Sequence, residues 1–387
     1  MKPSTLQESS SYDFIIAGSG CAGLSLLVQI LAEPSLRDKK ILLIDREQKN
    51  SNDRTWCFWE TKPGPFESVV KKQWDELWFR SMTLSRLFKL HPYKYKLIRG
   101  LDFYQYCESL ISRASNVERR IETVTDVGED ARGPYVESEA GKVYATYVFN
   151  SLLFEKPVMG KNEYYLLQHF RGWLIETPVP AFDPKQATMM DFRTSQHHGA
   201  TFVYVMPFSE TEALVEYTLF SRDLLQDGEY VSGLKNYIEQ RLGITDYQVK
   251  EEENGVIPMT NFAFSRGRGG LVNIGTAGGQ TRGSSGYTFQ FIQRHSAAIV
   301  RALRQGKSPL LPLTGREKRA AFYDSVLLDI LYNETLPAHE IFTRLFARNE
   351  PVKVLRFLDK DNTIPEDFRL VSSLPTMPFL KAAIKQF

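Results

Sequence analysis

Apolar residues first gather in a charge-free run of nineteen residues, 14–32, long enough by count alone to span a bilayer. Three glycines and two serines interrupt it where a strand would turn into a helix. The pattern therefore predicts a buried strand over 12–17, a tight turn over 18–23 and a helix over 24–32 stopped by Pro34. A second apolar strand, 41–44, ends at Asp45. This βαβ opening requires a parallel sheet with a right-handed crossover. An aromatic, irregular stretch over 50–60 and a mixed region reaching Arg99 follow, then a helix over 101–113. Alternation over 117–127, 135–138 and 143–149 predicts a small meander about the turns Gly133-Pro134 and Ala140-Gly141.

From 164 to 220 the period becomes that of successive strands, including 201–206 and 213–220 joined by a turn at 209–212. An antiparallel sheet inserted into the first domain is expected there. A helix over 231–242 precedes an apolar strand, 270–274, that enters a glycine-rich loop. From Thr288 onward the chain reads as mainly helical, with an apolar stripe from Phe322 to Phe346. The expected organisation is a discontinuous nucleotide-binding domain (12–160 and 250–305), an antiparallel substrate-binding sheet (161–249) and a helical C-terminal region (306–387).

Composition narrows this little. With 387 residues there is room for two packed domains, and 48 Lys plus Arg against 46 Asp plus Glu leave no global field to recruit nucleic acid. The 25 Phe and 18 Tyr call for large apolar walls. Three cysteines, Cys21, Cys57 and Cys107, form no CxxC pair, which fits a reducing, cytoplasmic setting. The polar stretch 1–11 lacks the basic and apolar segments of an export signal. His197-His198 has no companion at ligand spacing, so no metal is expected.

The chemistry begins at Gly18-Ser19-Gly20-Cys21-Ala22-Gly23, a GxGxxG set between strand and helix. Its glycines let the backbone approach a pyrophosphate, and the helix start turns amides towards it. Asp45, 22 residues beyond Gly23, ends the second strand, where a carboxylate bonds a ribose hydroxyl. The fingerprint alone does not separate FAD from NAD. Its place near the N-terminus, with a late glycine-rich strand end at Gly275-Thr276-Ala277-Gly278-Gly279, favours FAD by analogy with flavoprotein hydroxylases. The fold class expected is α/β, a Rossmann-like FAD-binding domain of the glutathione reductase or flavoprotein hydroxylase type with an antiparallel-sheet domain and a helical C-terminal part. Arg54 and Arg99 suit anionic oxygens of such a cofactor, with a surface ion pair as the alternative for each. Gly278, Gly279 and Gly286 can bring backbone against a flat ring or simply form turns.

Several segments then point to one family: the run 52–60 containing Asp53-Arg54-Thr55-Trp56-Cys57-Phe58, Ile98-Arg99-Gly100-Leu101-Asp102-Phe103-Tyr104, Val215-Glu216-Tyr217-Thr218, Gly286-Tyr287-Thr288-Phe289 and Phe322-Tyr323-Asp324-Ser325. The chain resembles the bacterial type of lycopene β-cyclase from about Tyr12 to Leu358. That resemblance implies reduced FAD, NAD(P)H serving only to keep it reduced, lycopene drawn from the lipid phase, and peripheral contact with the membrane. It also implies that Glu216 is the counterpart of the family's strand glutamate. The second acid of the plant-type pattern is Tyr217 here, and Thr276 stands where many flavoproteins carry aspartate.

Ring closure requires a proton delivered to a terminal double bond, a stabilised tertiary cation and removal of a different proton. A carboxyl group in a dry pocket suits both transfers. Strand parity groups Glu216 with Leu214, Thr218 and Phe220 on one face. Trp56, Phe58 and Trp59 can wall a polyene tunnel or fill core, and exposed apolar side chains are sought near the C-terminal stripe. Two other readings keep the fold: a flavin monooxygenase or isoprenoid reductase, and a non-catalytic isoprenoid-binding protein. Neither the oligomeric state nor a β rather than ε product is legible.

Overall fold

The computed structural model describes residues 12–386; the stretch 1–11, expected to lack an export signal, lies outside them. The charge-free run forms the strand Tyr12–Ala17, a turn and the helix Cys21–Ala32. Eight of this helix's twelve residues are buried. Its apolar character thus comes from a core position and not from a bilayer. No helix among the described residues is long and apolar enough to cross a membrane.

The strand Tyr12–Ala17 lies centrally in an eight-stranded sheet, with parallel neighbours Ile41–Asp45 on one side and Gly141–Asn150 on the other. Val117–Ile121 extends the first side, and Leu271–Asn273 extends the second. The meander Val124–Asp130 and Gly133–Ser138 hangs from Gly141–Asn150. The single run expected over 117–127 is thus two strands.

A second sheet of seven strands runs in the order Gln248–Thr260, Tyr165–Glu176, Glu212–Ser221, Ala200–Pro207, Gln186–Asp191, Glu76–Arg80 and Ser85–Lys89. The last two strands come from the region expected to be mixed. The border expected at 249/250 falls within Gln248–Thr260, an edge strand of thirteen residues. A run of three glutamates, an Asn-Gly pair and Pro258 disguise this strand in the sequence. An edge position tolerates all three, because one side of the strand has no ladder to satisfy. The stretch 50–60, expected to be irregular, contributes the strand Thr55–Glu60 to a third, three-stranded sheet with Lys94–Arg99 and Lys72–Trp74.

Alternation gives the seven-stranded sheet two apolar faces. Trp173, Val203, Val215 and Tyr217 pack against the helix Asp227–Gln240. Leu174, Phe202, Tyr204 and Leu214 face the C-terminal helices, which bring Phe342 and Phe346 onto the sheet. Phe346 stacks on Phe79 at 4.5 Å between centroids. Most of the stripe from Phe322 to Phe346 is therefore core. The exposed apolar residues lie further on, at Ile364, Phe368, Met377, Leu380 and Ile384 of the helices Ile364–Val371 and Thr376–Lys385.

Truncating Phe202, which is fully buried in the middle of this packing, leaves a void that neighbouring rings cannot fill. Phe202→Ala is expected to cost about 3–5 kcal/mol in denaturant unfolding, whereas Met82→Ala, on the exposed surface, stays within about 0.5 kcal/mol. Equal losses would contradict the assignment of the core to this face.

Candidate active site

The turn at the head of the first helix is tightly built. A Cβ on Gly23 would lie 2.0 Å from the Gly18 carbonyl oxygen, so only glycine lets the helix start this close to the turn. Around Gly20, the N-cap, there is open space, and no side chain caps the helix. Its first amides are free for an anion. Asp45 accepts from the Ser19 amide and hydroxyl at 2.5 and 2.8 Å, fixing the turn beside the second strand. Gly275 meets Ala22, since a Cβ there would approach the Ala22 Cβ to 2.7 Å. Burial pushes the Cys21 thiol up to about 12, so it stays protonated.

The late loop continues inward. Thr276, Thr281 and Thr288 link their hydroxyls at 3.0 and 3.2 Å, and Gly278 and Gly279 close the turn. Arg282 holds the loop from behind, bonding Asp324 at 3.0 Å and the Leu358 carbonyl at 2.6 Å. Gly286 then passes over Gln168; a Cβ at Gly286 would overlap Gln168 Oε1.

Between this loop and the seven-stranded sheet lies a cavity of about 210 Å³. Since a void of about 150 Å³ accepts a benzene ring, a ring-sized apolar group fits. Arg54, Thr276 and Gly286 line it together with Glu216, Tyr95, Tyr204 and Tyr287. Trp56 borders the cavity while packing edge-on against Phe103 at 5.1 Å. Phe58 stacks on Phe289 in the core, and Trp59 meets the Tyr287 ring edge-on. Gln168 Oε1 and the Tyr95 and Tyr287 hydroxyls are buried without partners. These orphaned atoms, with the uncapped helix start, are what a bound cofactor and substrate would be expected to satisfy.

Not every expected residue reaches this cavity. Arg54 does, paired with Asp53 at 2.8 Å. Arg99 instead faces the edge strand and pairs with Glu251 at 2.6 Å. It borders a separate small cleft, because its strand carries it towards the rim of the seven-stranded sheet.

Glu216 is 8% exposed, and Thr218 Oγ1 donates to its Oε1 at 2.8 Å. Its raised pKa has burial as the first cause and the charge of Glu253 as the second. Glu253 was not legible in the sequence. It sits on the edge strand, where Gly172 of the central strand pairs with Glu253 on one side and with Glu216 on the other. Directly opposed residues share a face, so Glu216 and Glu253 lie on the same face, and the Glu253 side chain leans over the glycine. Thr55 Oγ1 donates to Glu253 Oε2 at 2.6 Å, while Oε1 has no donor among the protein's other groups. The absence of an acid at 217 is thereby explained. Tyr217 points to the opposite face, against Gly233, so an acid there would not meet Glu216. The one sequence signal for Glu253 was a glutamate run beside an apolar stretch, which also describes a solvated loop.

The fold is a Rossmann-like α/β domain of the flavoprotein hydroxylase type joined to an antiparallel sheet and C-terminal helices. A geranylgeranyl bacteriochlorophyll reductase-like protein from Thermoplasma acidophilum superposes with a TM-score of 0.58 at 13% identity, covering 98% of this chain and 97% of that one. The flavin-dependent brominase Bmp2 gives a TM-score of 0.58 at 14% identity, covering 97% and 98%. The family model described as "Lycopene cyclase protein" matches residues 13–384, and the chain belongs to that family. Neoxanthin synthase, chloroplastic, of Solanum lycopersicum is 24% identical over 324 residues, 77% of this chain and 61% of that protein. Lycopene beta-cyclase of Paracoccus sp. (strain N81106 / MBIC 01143) is 24% identical over 294 residues, 73% and 71% respectively. The alignments thus take in less than two thirds of the first curated relatives' length.

A carboxyl with a raised folded-state pKa contributes fully to stability below its unfolded value, and that contribution is lost as pH rises through the folded one. For Glu216 the loss starts near the ordinary value of 4.5. Glu216→Gln, which cannot ionise, should therefore gain stability over the wild type above that pH, by up to about 1.4 kcal/mol per pH unit while one proton is involved. Urea unfolding at pH 4.5 and pH 8 measures the difference, and an unchanged gap would contradict the buried, neutral carboxyl.

Proposed function

We propose that the protein is a lycopene β-cyclase, closing linear end groups of lycopene to β-ionone rings by way of the one-ring product, with no net oxidation. The observation that carries this reading is a carboxyl at Glu216, buried so that its pKa is raised, lining an aromatic cavity that also takes in the glycine-rich loop. Membership of the lycopene cyclase family supports it.

FAD fits the chain at two places. Its phosphates would lie at the open Gly20 and the uncapped helix start, with Asp45 on the ribose, and its ring would lie along Thr276 and Gly286 near Arg54. Reduced FAD, maintained by NAD(P)H, supplies fixed negative charge beside the cavity, which is worth more there than in water.

Glu216 performs the proton transfers. Its carboxyl O–H donates to the inner, CH carbon of the terminal double bond, leaving a tertiary cation on the carbon that carries the two methyl groups. The neighbouring double bond attacks this cation and forms the ring. A ring proton then leaves to carboxylate oxygen, which restores the acid. The faces of Tyr95, Tyr204 and Tyr287 shield the cation from water and favour positive charge. The Thr218 hydroxyl keeps Glu216 aimed along the sheet face.

A substrate dissolved in lipid must be collected at the membrane. We assign that contact to the helices Ile364–Val371 and Thr376–Lys385. Ile364 and Phe368 lie one turn apart, as do Met377, Leu380 and Ile384, and all are exposed beside Lys381 and Lys385.

Purified protein with FAD and dithionite, given lycopene in liposomes without oxygen, should yield monocyclic and β-cyclised products with no stoichiometric nicotinamide consumption. Glu216→Gln should retain flavin and lose about 10²-fold or more of the rate. Nicotinamide consumption in step with product would favour an isoprenoid reductase or monooxygenase, and a colourless, flavin-free protein would favour simple isoprenoid binding. In a separate flotation assay on anionic liposomes, Phe368→Asp with Leu380→Asp is expected to leave most of the protein unbound. Undiminished flotation would move the contact elsewhere.

A further inference from the structure

Glu253 has no part in the proton transfers just described, yet its environment is too specific for a solvated edge-strand residue. It is 6% exposed on an otherwise charged, solvent-facing segment, where its neighbours Glu251 and Glu252 are open to water. The residue between it and Glu216 is Gly172, the one residue type that leaves the space above the central strand empty. A Cβ there would lie 3.0 Å from Glu253 Cγ and 3.4 Å from Glu253 Oε1. The two backbones lie two strand spacings apart, roughly 10 Å, with both side chains on the Gly172 face, and the charge of Glu253 reaches Glu216. If both were ionised, Glu253 Oε1 would be a buried acceptor with no donor; a proton on Glu216 supplies one, and the two carboxyls then hydrogen-bond to each other.

The two carboxyls open to different sides. Glu216 lines the cavity. Glu253 lines the small cleft bounded by Asn52, Thr55, Arg99 and Glu251, about 20 Å³ in volume, enough for one water. Arg99 and Glu251 form its solvent-side rim. The pair thus spans the sheet edge from solvent to cavity.

We propose that Glu253 is the positioning partner of Glu216: the two carboxyls share one proton across Gly172, and Glu253 exchanges it with solvent through the cleft beside Arg99 while Glu216 alone meets the substrate. The inference rests on the cyclase reading above. Its proton balance closes. When Glu216 gives its proton to the end group, two adjacent carboxylates remain. Their repulsion makes Glu216 a stronger base at the moment the cation must lose a proton. The proton returned from the ring restores the shared state, and any proton lost to water is replaced through Glu253. No electrons move.

The division of roles follows from the partners. Burial raises the Glu253 pKa as well, though less than that of Glu216, because Thr55 donates to it and Arg99 favours its charged form, opposed by Glu251. Glu216 faces Cys57, Tyr204 and Tyr287, all held neutral by burial. The proton therefore rests on Glu216 and the charge on Glu253.

The test reads the carboxyl directly. In flavin-loaded protein the infrared C=O band of the protonated acid, isolated as wild type minus Glu216→Gln, should persist well above the ordinary carboxyl range. Glu253→Gln should lower its titration midpoint by about one pH unit or more, and the alkaline limb of cyclisation should fall with it. Glu253→Asp, which keeps the charge, should remain within about half a unit of wild type. An unshifted midpoint in Glu253→Gln, an equal shift in Glu253→Asp, or no such band in the wild type would each overturn the proposal. Since the band needs no substrate, a wild type that shows it and yields no cyclised carotenoid would refute the function while leaving the proton pair standing.

Discussion

Two acidic side chains buried against each other are a liability unless they share a proton, and this constraint organises the site. Moving an ionised carboxylate out of water costs several kcal/mol, and a second one alongside adds repulsion. Glu216 and Glu253 avoid the second charge and its repulsion by remaining a singly protonated pair, with Thr218 and Thr55 each satisfying one oxygen. What makes the pair possible is an absence of atoms. Gly172 has no side chain, so carboxyls from two non-adjacent strands can lean into the same space.

The larger architecture serves to keep that space dry. The central strand Tyr165–Glu176 is flanked along nearly its whole length by Glu212–Ser221 and Gln248–Thr260, so register between the three is set many times over. C-terminal helices cover the cavity-side face and the helix Asp227–Gln240 covers the other. The late loop is clamped by the buried Arg282, whose guanidinium reaches both Asp324 and a carbonyl of the C-terminal region. The late glycine-rich loop and Glu216 thus come from separate sheets and line one cavity.

Elements whose identity depends on near neighbours were legible. The strand, turn and helix at the start announce themselves because glycines at 18, 20 and 23 punctuate an apolar run, and Asp45 follows at the right distance. Glu216 was legible through the family resemblance of Val215-Glu216-Tyr217-Thr218, and parity added only that it shares a face with Leu214, Thr218 and Phe220. The strands at 76–89 were not legible: they pair with each other, but only Gln186–Asp191, far along the chain, ties them to the sheet, and short mixed segments carry little signal of their own. Arg99 read equally well as an anion ligand or as one half of a surface ion pair. Only the fold brings Glu251 to 2.6 Å from it.

The sequence by itself determined the dinucleotide-type opening, the α/β class with an added antiparallel sheet, and one carboxyl set among apolar residues, since each is encoded by spacing within a short window. Only the tertiary structure decided that this carboxyl is one of two. Residues 216 and 253 are joined by the hydrogen-bond register of three strands, with residue 172 between them. Register is a long-range property fixed by the packing of both sheet faces, and no local pattern of apolar and polar positions carries it.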